Sequence, residues 1–297
     1  MARTDRVTVV GAGQMGLGIA HGFAVAGHAV TLVDVKDDQL HKARAAVLAI
    51  VDEGVARGKV SAEVRAGVEA RLGLSTDLGA GVTGSDLVVE TATENLGVKL
   101  EILKTVAAHV APDTVIATNT SALSITELAA SIPCPERVVG MHFFNPVHKM
   151  KLCEVIRGLQ TSDQTVTRTR AWAEGIGKTH ILVHEAPGFT TSRISAMLGN
   201  EAMWMLSEGV ASAEDIDTSL RLAFNHPMGP LELGDLTGWD TRLSVLKYLH
   251  QTLGEKFRPC PLITKMVQAG RYGRKVGHGV YRYENGQKVA GSGLRPW

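Results

Sequence analysis

The sequence predicts an α/β fold with a doubly wound sheet, followed by an all-helical C-terminal domain. Short β-rich runs alternate with helical segments over roughly the first 185 residues, which is typical of a sheet covered by helices on both faces. Past Pro187-Gly188 the segments are long enough for helices and lack strand alternation. The 297 residues also fit two domains of about 150 residues each. We therefore expect domains at 1–185 and 186–297.

The chain opens with a predicted βαβ unit. Residues 7–10 form an apolar, β-rich run, and after a glycine-rich turn apolar residues recur at helical spacing until Gly27. A second β-rich run, residues 29–33, ends at Asp34. Two strands joined by a helix in this way predict a parallel sheet.

Residues 37–71 differ in character from the sheet-forming regions. They are rich in alanine and charge, are broken around Gly54 to Gly58, and predict a helical hairpin inserted into the sheet fold. Strand and helix then alternate again. We predict strands at 86–90, 114–118, 137–144, 152–156 and 180–183, and helices at 96–110, 124–130 and 166–173.

The C-terminal region contains four predicted helices. They lie at 191–207, 213–223, 231–253 and 261–269. Only the tail, residues 286–297, has the composition of a loosely ordered segment.

The composition excludes several classes of protein. The 31 lysines and arginines balance 30 acidic residues, so the net charge of +1 gives no support for a surface that binds nucleic acid or an acidic membrane. No apolar stretch approaches the ~20 residues of a membrane span, and the short polar start leaves no room for a signal peptide. Three scattered cysteines predict neither disulfides nor a metal site. We expect a cytoplasmic protein.

The turn after the first strand carries the pattern Gly11-x-Gly13-x-x-Gly16. Between a strand and a helix, such glycines permit a tight turn, close approach of a pyrophosphate and close packing of the helix on the strand. Asp34, 18 positions after Gly16, is suited to accept hydrogen bonds from a ribose 2′-OH. The pattern predicts a Rossmann-like site for NAD, while the nearby Lys36 keeps NADP open.

Three polar side chains lie just after or within predicted strands, where open α/β sheets bind ligands. They are Ser121, His142 and Glu154. A dehydrogenase needs a base near the carbinol oxygen, a group that holds this base in one tautomer, and a donor that polarises the oxygen. Taken singly each residue has a structural alternative, such as helix capping for Ser121. Their combination favours a dehydrogenase site.

Motifs along nearly the whole chain resemble those of the L-3-hydroxyacyl-CoA dehydrogenase family, and the length resembles its short monofunctional members of the 3-hydroxybutyryl-CoA type. The matching motifs are Gly11-Ala12-Gly13-Gln14-Met15-Gly16, Val89-Glu90 to Glu94-Asn95, Asn119-Thr120-Ser121, His142-Phe143-Phe144-Asn145-Pro146, Pro187-Gly188-Phe189, His226-Pro227-Met228-Gly229-Pro230-Leu231-Glu232 and Gly273-Arg274-Lys275-x-Gly277-x-Gly279-x-Tyr281. Their number and order make chance similarity negligible.

The resemblance implies a role for each matching residue. His142 is implied to be the general base that takes the proton of the 3-hydroxyl group during its oxidation, and the acid in the reverse direction. Glu154 is implied to orient and charge this histidine, and Ser121 to bind the substrate oxygen. The implied cofactor contacts are Gly11, Gly13, Gln14, Met15, Gly16, Asp34, Glu90, Glu94, Asn95, Lys99, Ser121 and Asn145. Asn145 is also an implied substrate contact, and for Glu94 a helix-dipole role is the alternative.

Two positions depart from the family pattern. Where the family reads Pro-Gly-Phe-x-x-Asn-Arg, this chain places Ser192 at the active-site asparagine position. Because serine has less reach and lacks the second amide group, we expect a bridging water or a bulkier substrate to fill the gap. His148 stands where many short members have proline, and we expect it to line the cleft or lie on the surface.

The resemblance also implies an acyl-CoA partner and a homodimer formed through the C-terminal domain. The inserted hairpin is implied to cover the nucleotide end of CoA. Its basic residues are Lys42, Arg44, Arg57, Lys59 and Arg65. Lys59 is the best phosphate partner among them, with a solvated helical face as the alternative because acidic residues are interspersed.

Three functions stay open at this point. The first is an NAD-dependent L-3-hydroxyacyl-CoA dehydrogenase for short chains, above all the 3-hydroxybutyryl-CoA/acetoacetyl-CoA pair. The second applies the same chemistry to a carrier-protein-bound or functionalised acyl group, because of Ser192. The third is a catalytically inactive NAD-binding structural or sensor protein, against which the intact Ser121, His142 and Glu154 argue. The 3-hydroxyisobutyrate and 6-phosphogluconate dehydrogenases are set aside because their lysine in a glycine-rich helix start has no counterpart here.

Overall fold

The chain divides into two compact units after Ala186, one residue beyond the boundary expected from the sequence. The computed structural model describes residues 4–295. Residues 1–3 and 296–297, which include part of the polar start and the end of the expected loose tail, lie outside the described residues.

An eight-stranded sheet forms the centre of the N-terminal unit. Its strands are β1 (Arg6–Val10), β2 (Ala29–Val33), β3 (Leu72–Ser75), β4 (Leu87–Glu90), β5 (Val115–Thr118), β6 (Val138–Phe143), β7 (Leu152–Arg157) and β8 (Thr179–His184). They lie side by side in the order β3-β2-β1-β4-β5-β6-β7-β8. Neighbours run parallel except β6 and β7, which are antiparallel. The predicted doubly wound sheet is confirmed.

Seven helices accompany the sheet in the described part of this unit. They are α1 (Gln14–Val25), α2 (Asp37–Ala56), α3 (Ala62–Arg71), α4 (Leu78–Val82), α5 (Leu96–His109), α6 (Ile125–Ala129) and α7 (Asp163–Gly175). The pair α2 and α3 is the inserted hairpin predicted from the alanine-rich, charged segment.

Burial explains why the apolar runs become strands. Every residue of β4, β5 and β6 is buried, as expected for central strands covered on both faces. Val9, Leu32 and Phe23 belong to one core cluster that joins the first two strands to α1. Each such buried side chain stabilises the fold by about 1.5–3 kcal/mol relative to its exposed state.

Two short elements of this unit, β3 and α4, were not predicted. They contain four and five residues, respectively, and glycine interrupts both. Neither is long enough to show a hydrophobic period. Pairing with β2, a contact between distant parts of the chain, defines β3.

The C-terminal unit is helical, with a small hairpin near its end. Its elements are α8 (Thr191–Ser207), α9 (Ala213–Ala223), α10 (Pro230–Thr237), α11 (Trp239–Leu253), α12 (Pro261–Gln268), β9 (Tyr283–Glu284) and β10 (Gln287–Lys288). The single helix predicted at 231–253 is wrong, because Gly238 separates α10 from α11. Its φ of 94° lies in the left-handed region that favours glycine and ends a helix.

The carboxylate of Asp235 organises this unit. It is fully buried and accepts hydrogen bonds from Trp239 Nε1 (2.6 Å), Val280 N (2.7 Å) and Tyr281 N (2.9 Å). Burial raises the pKa of Asp235. These bonds fasten the glycine-rich segment at 273–281 to α10 and α11.

The prediction of a loosely ordered tail is wrong for residues 287–294. Strand β10 lies in this stretch, Val289 N donates to Arg282 O at 2.9 Å, and Leu294 N donates to Val280 O at 2.9 Å. The polar composition misled because backbone hydrogen bonds, together with the packing of Leu294 against the core, hold the segment.

Across residues 4–295, no helix has both the length and the apolar character needed to cross a membrane.

Candidate active site

The glycine-rich turn joins β1 to α1. Gly11 has a φ of 99°, a conformation that glycine adopts far more readily than other residues. A Cβ at Gly16 would overlap the carbonyl oxygen of Gly11. The turn itself therefore requires these two glycines.

Gly13 has a different explanation. Its φ of −70° suits any residue, and a Cβ added there would meet no atom within 4 Å. Among the described residues, no side chain caps the start of α1, so amides of its first turn, including those of Gln14 and Met15, lack an intrahelical partner at a positive helix end. The open position at Gly13 and the uncapped helix start fit the pyrophosphate of a dinucleotide.

Asp34 at the end of β2 lies beside this turn. One carboxylate oxygen accepts from Ala12 N at 2.9 Å and the other from Lys36 N at 3.1 Å. A carboxylate oxygen can accept a further bond, so Asp34 keeps acceptor capacity next to the turn. This is the arrangement that a ribose hydroxyl requires.

Glu90 and Lys99 form an almost inaccessible ion pair, with 0% and 1% of their surfaces exposed. Lys99 Nζ lies 2.8 and 2.7 Å from the two Glu90 oxygens. Thr118 Oγ1 and Ala92 N also donate to this carboxylate, at 2.6 and 2.7 Å. The pair ties β4 to β5 and α5, and its implied cofactor contacts stay predictions.

Glu94 holds the turn that carries Ser121. Its Oε1 accepts from Thr120 Oγ1 at 2.6 Å and from Ser121 N at 2.9 Å. The neighbouring Asn95 caps α5, since its side chain accepts from Val98 N at 3.1 Å. Asn95 thus caps this helix, Glu94 bonds the Ser121 turn, and the implied cofactor contacts of both residues stay predictions.

His142 and Glu154 face each other across the antiparallel pair of β6 and β7. His142 Nδ1 lies 2.7 Å from Glu154 Oε2, and only 5% and 0% of the two residues are exposed. An ionised carboxylate only accepts hydrogen bonds, so the proton of this bond belongs to Nδ1. Nε2 is then the proton acceptor of the neutral ring.

Ser121 completes a line of three side chains. Its Oγ lies 3.2 Å from His142 Nε2, and the residue is exposed in the turn after β5. Helix capping was the structural alternative for Ser121. The residue that caps α6 is Ser124, whose side chain accepts from Glu127 N. The structure therefore brings together three candidates that are spread along the chain, with 33 positions between the first, Ser121, and the last, Glu154.

Sequence reasoning gave no separate role to Asn119. Its Oδ1 accepts from Phe143 N at 2.8 Å and so ties the end of β5 to the end of β6. This bond sets the spacing between Ser121 and His142. The available signal was its place beside Ser121 in the motif Asn119-Thr120-Ser121.

The remaining predicted residues lie in a loop, a turn and a helix start. Asn145 is exposed in the connection between β6 and β7, next to a cis peptide bond with Pro146. Lys59 is exposed between α2 and α3. Ser192 belongs to the C-terminal unit, where it lies in the first turn of α8.

The basic residues of the inserted hairpin divide into two groups. Lys42, Arg44, Arg57 and Arg65 form ion pairs with acidic residues of the same hairpin. Within the described residues, Lys59 forms no ion pair. The solvated-face alternative therefore fits the first four, and for Lys59 both alternatives stay open.

Two family models match the chain. The model for the NAD binding domain of 3-hydroxyacyl-CoA dehydrogenase matches residues 6–186. The model for the C-terminal domain of 3-hydroxyacyl-CoA dehydrogenase matches residues 188–283.

Similar proteins match over nearly their whole length. A probable 3-hydroxybutyryl-CoA dehydrogenase of Bacillus subtilis is 44% identical over 94% of this chain and 97% of its own. A 3-hydroxybutyryl-CoA dehydrogenase of Bradyrhizobium diazoefficiens is 41% identical over 96% and 97%. The crystal structure of (S)-3-hydroxybutyryl-CoA dehydrogenase from Ralstonia eutropha superposes with a TM-score of 0.92, at 43% identity over 95% of this chain and 100% of that one.

Proposed function

The chain belongs to the 3-hydroxyacyl-CoA dehydrogenase family, and from this membership we propose that it transfers hydride between NAD(H) and C3 of a short-chain L-3-hydroxyacyl-CoA, with the 3-hydroxybutyryl-CoA/acetoacetyl-CoA pair as its main substrates. The observation that carries the proposal is the line formed by Ser121, His142 and Glu154, with Nε2 of His142 facing the exposed serine hydroxyl.

NAD is the cofactor. Gly11, Gly13 and Gly16 shape the turn against which its pyrophosphate would lie, and the amides of Gln14 and Met15 would donate to it. Asp34 would accept from the ribose. When bound, NAD accepts the hydride from C3 in oxidation and returns it in reduction.

The protein's part in this reaction is to hold and move one proton at His142 Nε2. In oxidation Nε2 takes the proton of the 3-hydroxyl group, and in reduction it returns that proton to the substrate oxygen. Glu154 keeps the other ring proton on Nδ1 and stabilises the positive charge that the ring gains. Because Glu154 is fully buried, little water screens this interaction.

Ser121 supplies a second contact for the substrate oxygen. Its hydroxyl group lies close to Nε2, so a substrate oxygen that lies beside both groups would be bonded by both. Glu94 fixes the backbone of this serine through its bond from Ser121 N. The geometry thus serves both the positioning of the substrate and the transfer of the proton.

The decisive experiment is to follow NADH absorbance with purified protein and acetoacetyl-CoA. We expect steady oxidation of NADH, and the reverse reaction with L-3-hydroxybutyryl-CoA and NAD. The D-isomer serves as the control and should not react. Absence of turnover with every acyl-CoA of a length series would refute the proposal.

A second candidate keeps the chemistry and changes the substrate. Ser192 at the usual asparagine position favours a functionalised acyl-CoA or an acyl group on a carrier protein, since either would occupy space that the shorter side chain leaves. The same assay with such substrates separates the two candidates. If the short-chain acyl-CoA is the main substrate, kcat/KM should be higher for acetoacetyl-CoA than for the functionalised or carrier-bound substrates.

Several further properties belong to this proposal. We propose that residues 1–185 act as the NAD-binding domain and 186–297 as the substrate and dimerisation domain. Lys59 would contact a CoA phosphate. The proposed residues near the cofactor are Glu90, Asn95, Lys99 and Asn145. We also propose a homodimer and a cytoplasmic enzyme of fatty acid metabolism. The free thiols of Cys134, Cys153 and Cys260 support a reducing compartment.

A further inference from the structure

The connection between β6 and β7, residues 144–151, is here called the hairpin loop. It joins the strand that carries His142 to the strand that carries Glu154, and it contains Asn145. Most of its residues are exposed, but Val147 is only 3% exposed. A shift of this loop would therefore act directly on the strand that carries His142 and on the strand that carries Glu154.

Lys178, which precedes β8, is bonded to this loop. Its Nζ donates to the carbonyl oxygen of Val147 at 2.5 Å and to that of Met150 at 2.8 Å. Next to it, Thr179 N donates to Lys151 O at 2.8 Å. A single half-buried ammonium group thus bridges two carbonyl groups on either side of the loop's tip.

The other side of the loop lies against α1. A Cβ at Gly18 would come within 2.9 Å of Val147 Cβ, so the helix and the loop touch with no room for a larger residue at that point. Helix α1 begins at the glycine-rich turn. The loop is therefore held between the helix of the nucleotide site and the ammonium group of Lys178.

We propose that Lys178 is a positioning residue of the dehydrogenase reaction, acting through the hairpin loop on Asn145. This inference rests on the proposed function. Lys178 touches neither the proposed base nor the cofactor turn; its two hydrogen bonds set the path of the loop between them. Methionine at this position would keep most of the apolar stem and lose both bonds.

The test compares Lys178→Met with Lys178→Arg and with Lys149→Met as the matched control. Lys149 lies exposed in the same loop, so its variant loses the same charge without loss of the two carbonyl bonds. We expect Lys178→Met to lower kcat/KM by on the order of tenfold to a hundredfold, because small displacements of reacting groups have effects of this size. Lys178→Arg should retain most of the kcat/KM that Lys178→Met loses, and Lys149→Met should have little effect on kcat/KM.

A double-mutant cycle with Asn145→Ala distinguishes positioning from general stability. If Lys178 acts through the loop, Lys178→Met should change kcat by less than about twofold once Asn145 is alanine, since coupled residues are not additive. The change in melting temperature should be the same in both backgrounds. Fully multiplicative losses of kcat would overturn the proposal.

Two readouts do not depend on turnover. Amide hydrogen exchange of residues 144–151, measured without substrate, should be faster in Lys178→Met than in wild type and Lys149→Met, and the Kd for NADH should rise. Unchanged exchange would overturn the proposal whatever the activity. If the wild type lacks turnover with acyl-CoA substrates, the proposed function fails, while loop exchange and NADH binding still decide whether Lys178 holds the loop.

Discussion

The reactivity proposed for His142 follows from what each ring nitrogen contacts. Nδ1 is committed to a buried carboxylate, and Nε2 lies beside an exposed hydroxyl group. A neutral imidazole has one donor and one acceptor nitrogen, so the bond to Glu154 leaves the acceptor on the side of Ser121.

Replacement of His142 by glutamine tests this role. We expect His142→Gln to lower kcat by roughly a hundredfold to ten-thousandfold, the usual contribution of a general acid or base, with NADH binding retained. His180→Gln is the matched control. His180 lies on the neighbouring strand β8 and is also paired with a carboxylate, since its Nε2 is 2.8 Å from Glu174 Oε1. Full activity of His142→Gln would favour a different base, and an inactive wild type that binds NADH would favour a structural or sensor protein.

Ser192 allows a gain-of-function prediction. We expect Ser192→Asn to raise kcat/KM for acetoacetyl-CoA, because it restores the amide donor that the family pattern has at this position. Loss of such a donor costs on the order of 3 kcal/mol in other enzymes. Ser195→Asn, one turn further along α8, serves as the control. An unchanged or lower value for Ser192→Asn would show that the serine is no handicap with this substrate.

At the scale of elements, the antiparallel pairing of β6 and β7 is the feature that creates the site. Parallel neighbours continue through the rest of the sheet, but only a hairpin places position 142 directly opposite position 154. The bond from Phe143 N to Asn119 then sets the distance from β6 to β5. Strand direction, and not residue identity alone, brings the base and its carboxylate together.

The buried pair of Glu90 and Lys99 makes β4, β5 and α5 depend on one another. We expect Lys99→Met to reduce the free energy of unfolding by about 3–5 kcal/mol, because it leaves the buried Glu90 carboxylate without its counter-charge. Urea denaturation measures this change.

The control lies on the same helix. Lys104 forms an exposed pair with Glu101 at 2.8 Å, so Lys104→Met should change stability by less than about 1 kcal/mol. The double variant Glu90→Gln with Lys99→Met should be more stable than Lys99→Met alone. Equal destabilisation by Lys99→Met and Lys104→Met would contradict this account of the buried pair.

Considering the whole molecule, three largely buried titratable groups respond to acid in opposite directions in the two units. Burial, together with the nearby charges of His148 and Lys178, lowers the pKa of His21 in the N-terminal unit to about 4. Burial raises the pKa of Asp217 and Asp235 in the C-terminal unit. The histidine therefore opposes folding of its unit in acid, whereas the two carboxyl groups favour folding of theirs as pH falls.

His21 gives the pH prediction. The unfolded chain takes up a proton at this residue near its ordinary pKa of 6.5, but the folded chain does so only near about 4, so stability is lost as pH falls through that window. The shift corresponds to at most about 3 kcal/mol.

Urea denaturation at a series of pH values checks this prediction. The free energy of unfolding of wild type minus that of His21→Gln should fall steadily between pH 6.5 and 4, because glutamine does not titrate. A difference that stays constant with pH would contradict it.

The amino-acid sequence alone predicts the features whose cause is local. The doubly wound sheet, the inserted hairpin and the glycine-rich turn were predicted because hydrophobic period, propensity and glycine spacing act over a few residues. The candidates Ser121, His142 and Glu154 were predicted from residue type and strand ends, with family resemblance supplying their roles. The break at Gly238 was also readable, since glycine ends helices, but the long apolar pattern of 231–253 masked it.

How distant segments of the chain meet became clear from the folded structure. Four features depend on residues far apart in the chain. They are the direction of β7, the buried ion pair of Glu90 and Lys99, the bond of Asn119 to β6, and the hydrogen bonds of Lys178 to the hairpin loop. Hydrophobic patterns state which face of an element is buried, but they do not state which partner covers it. Polar contacts between strands depend on register and direction, which the assembled sheet sets as a whole.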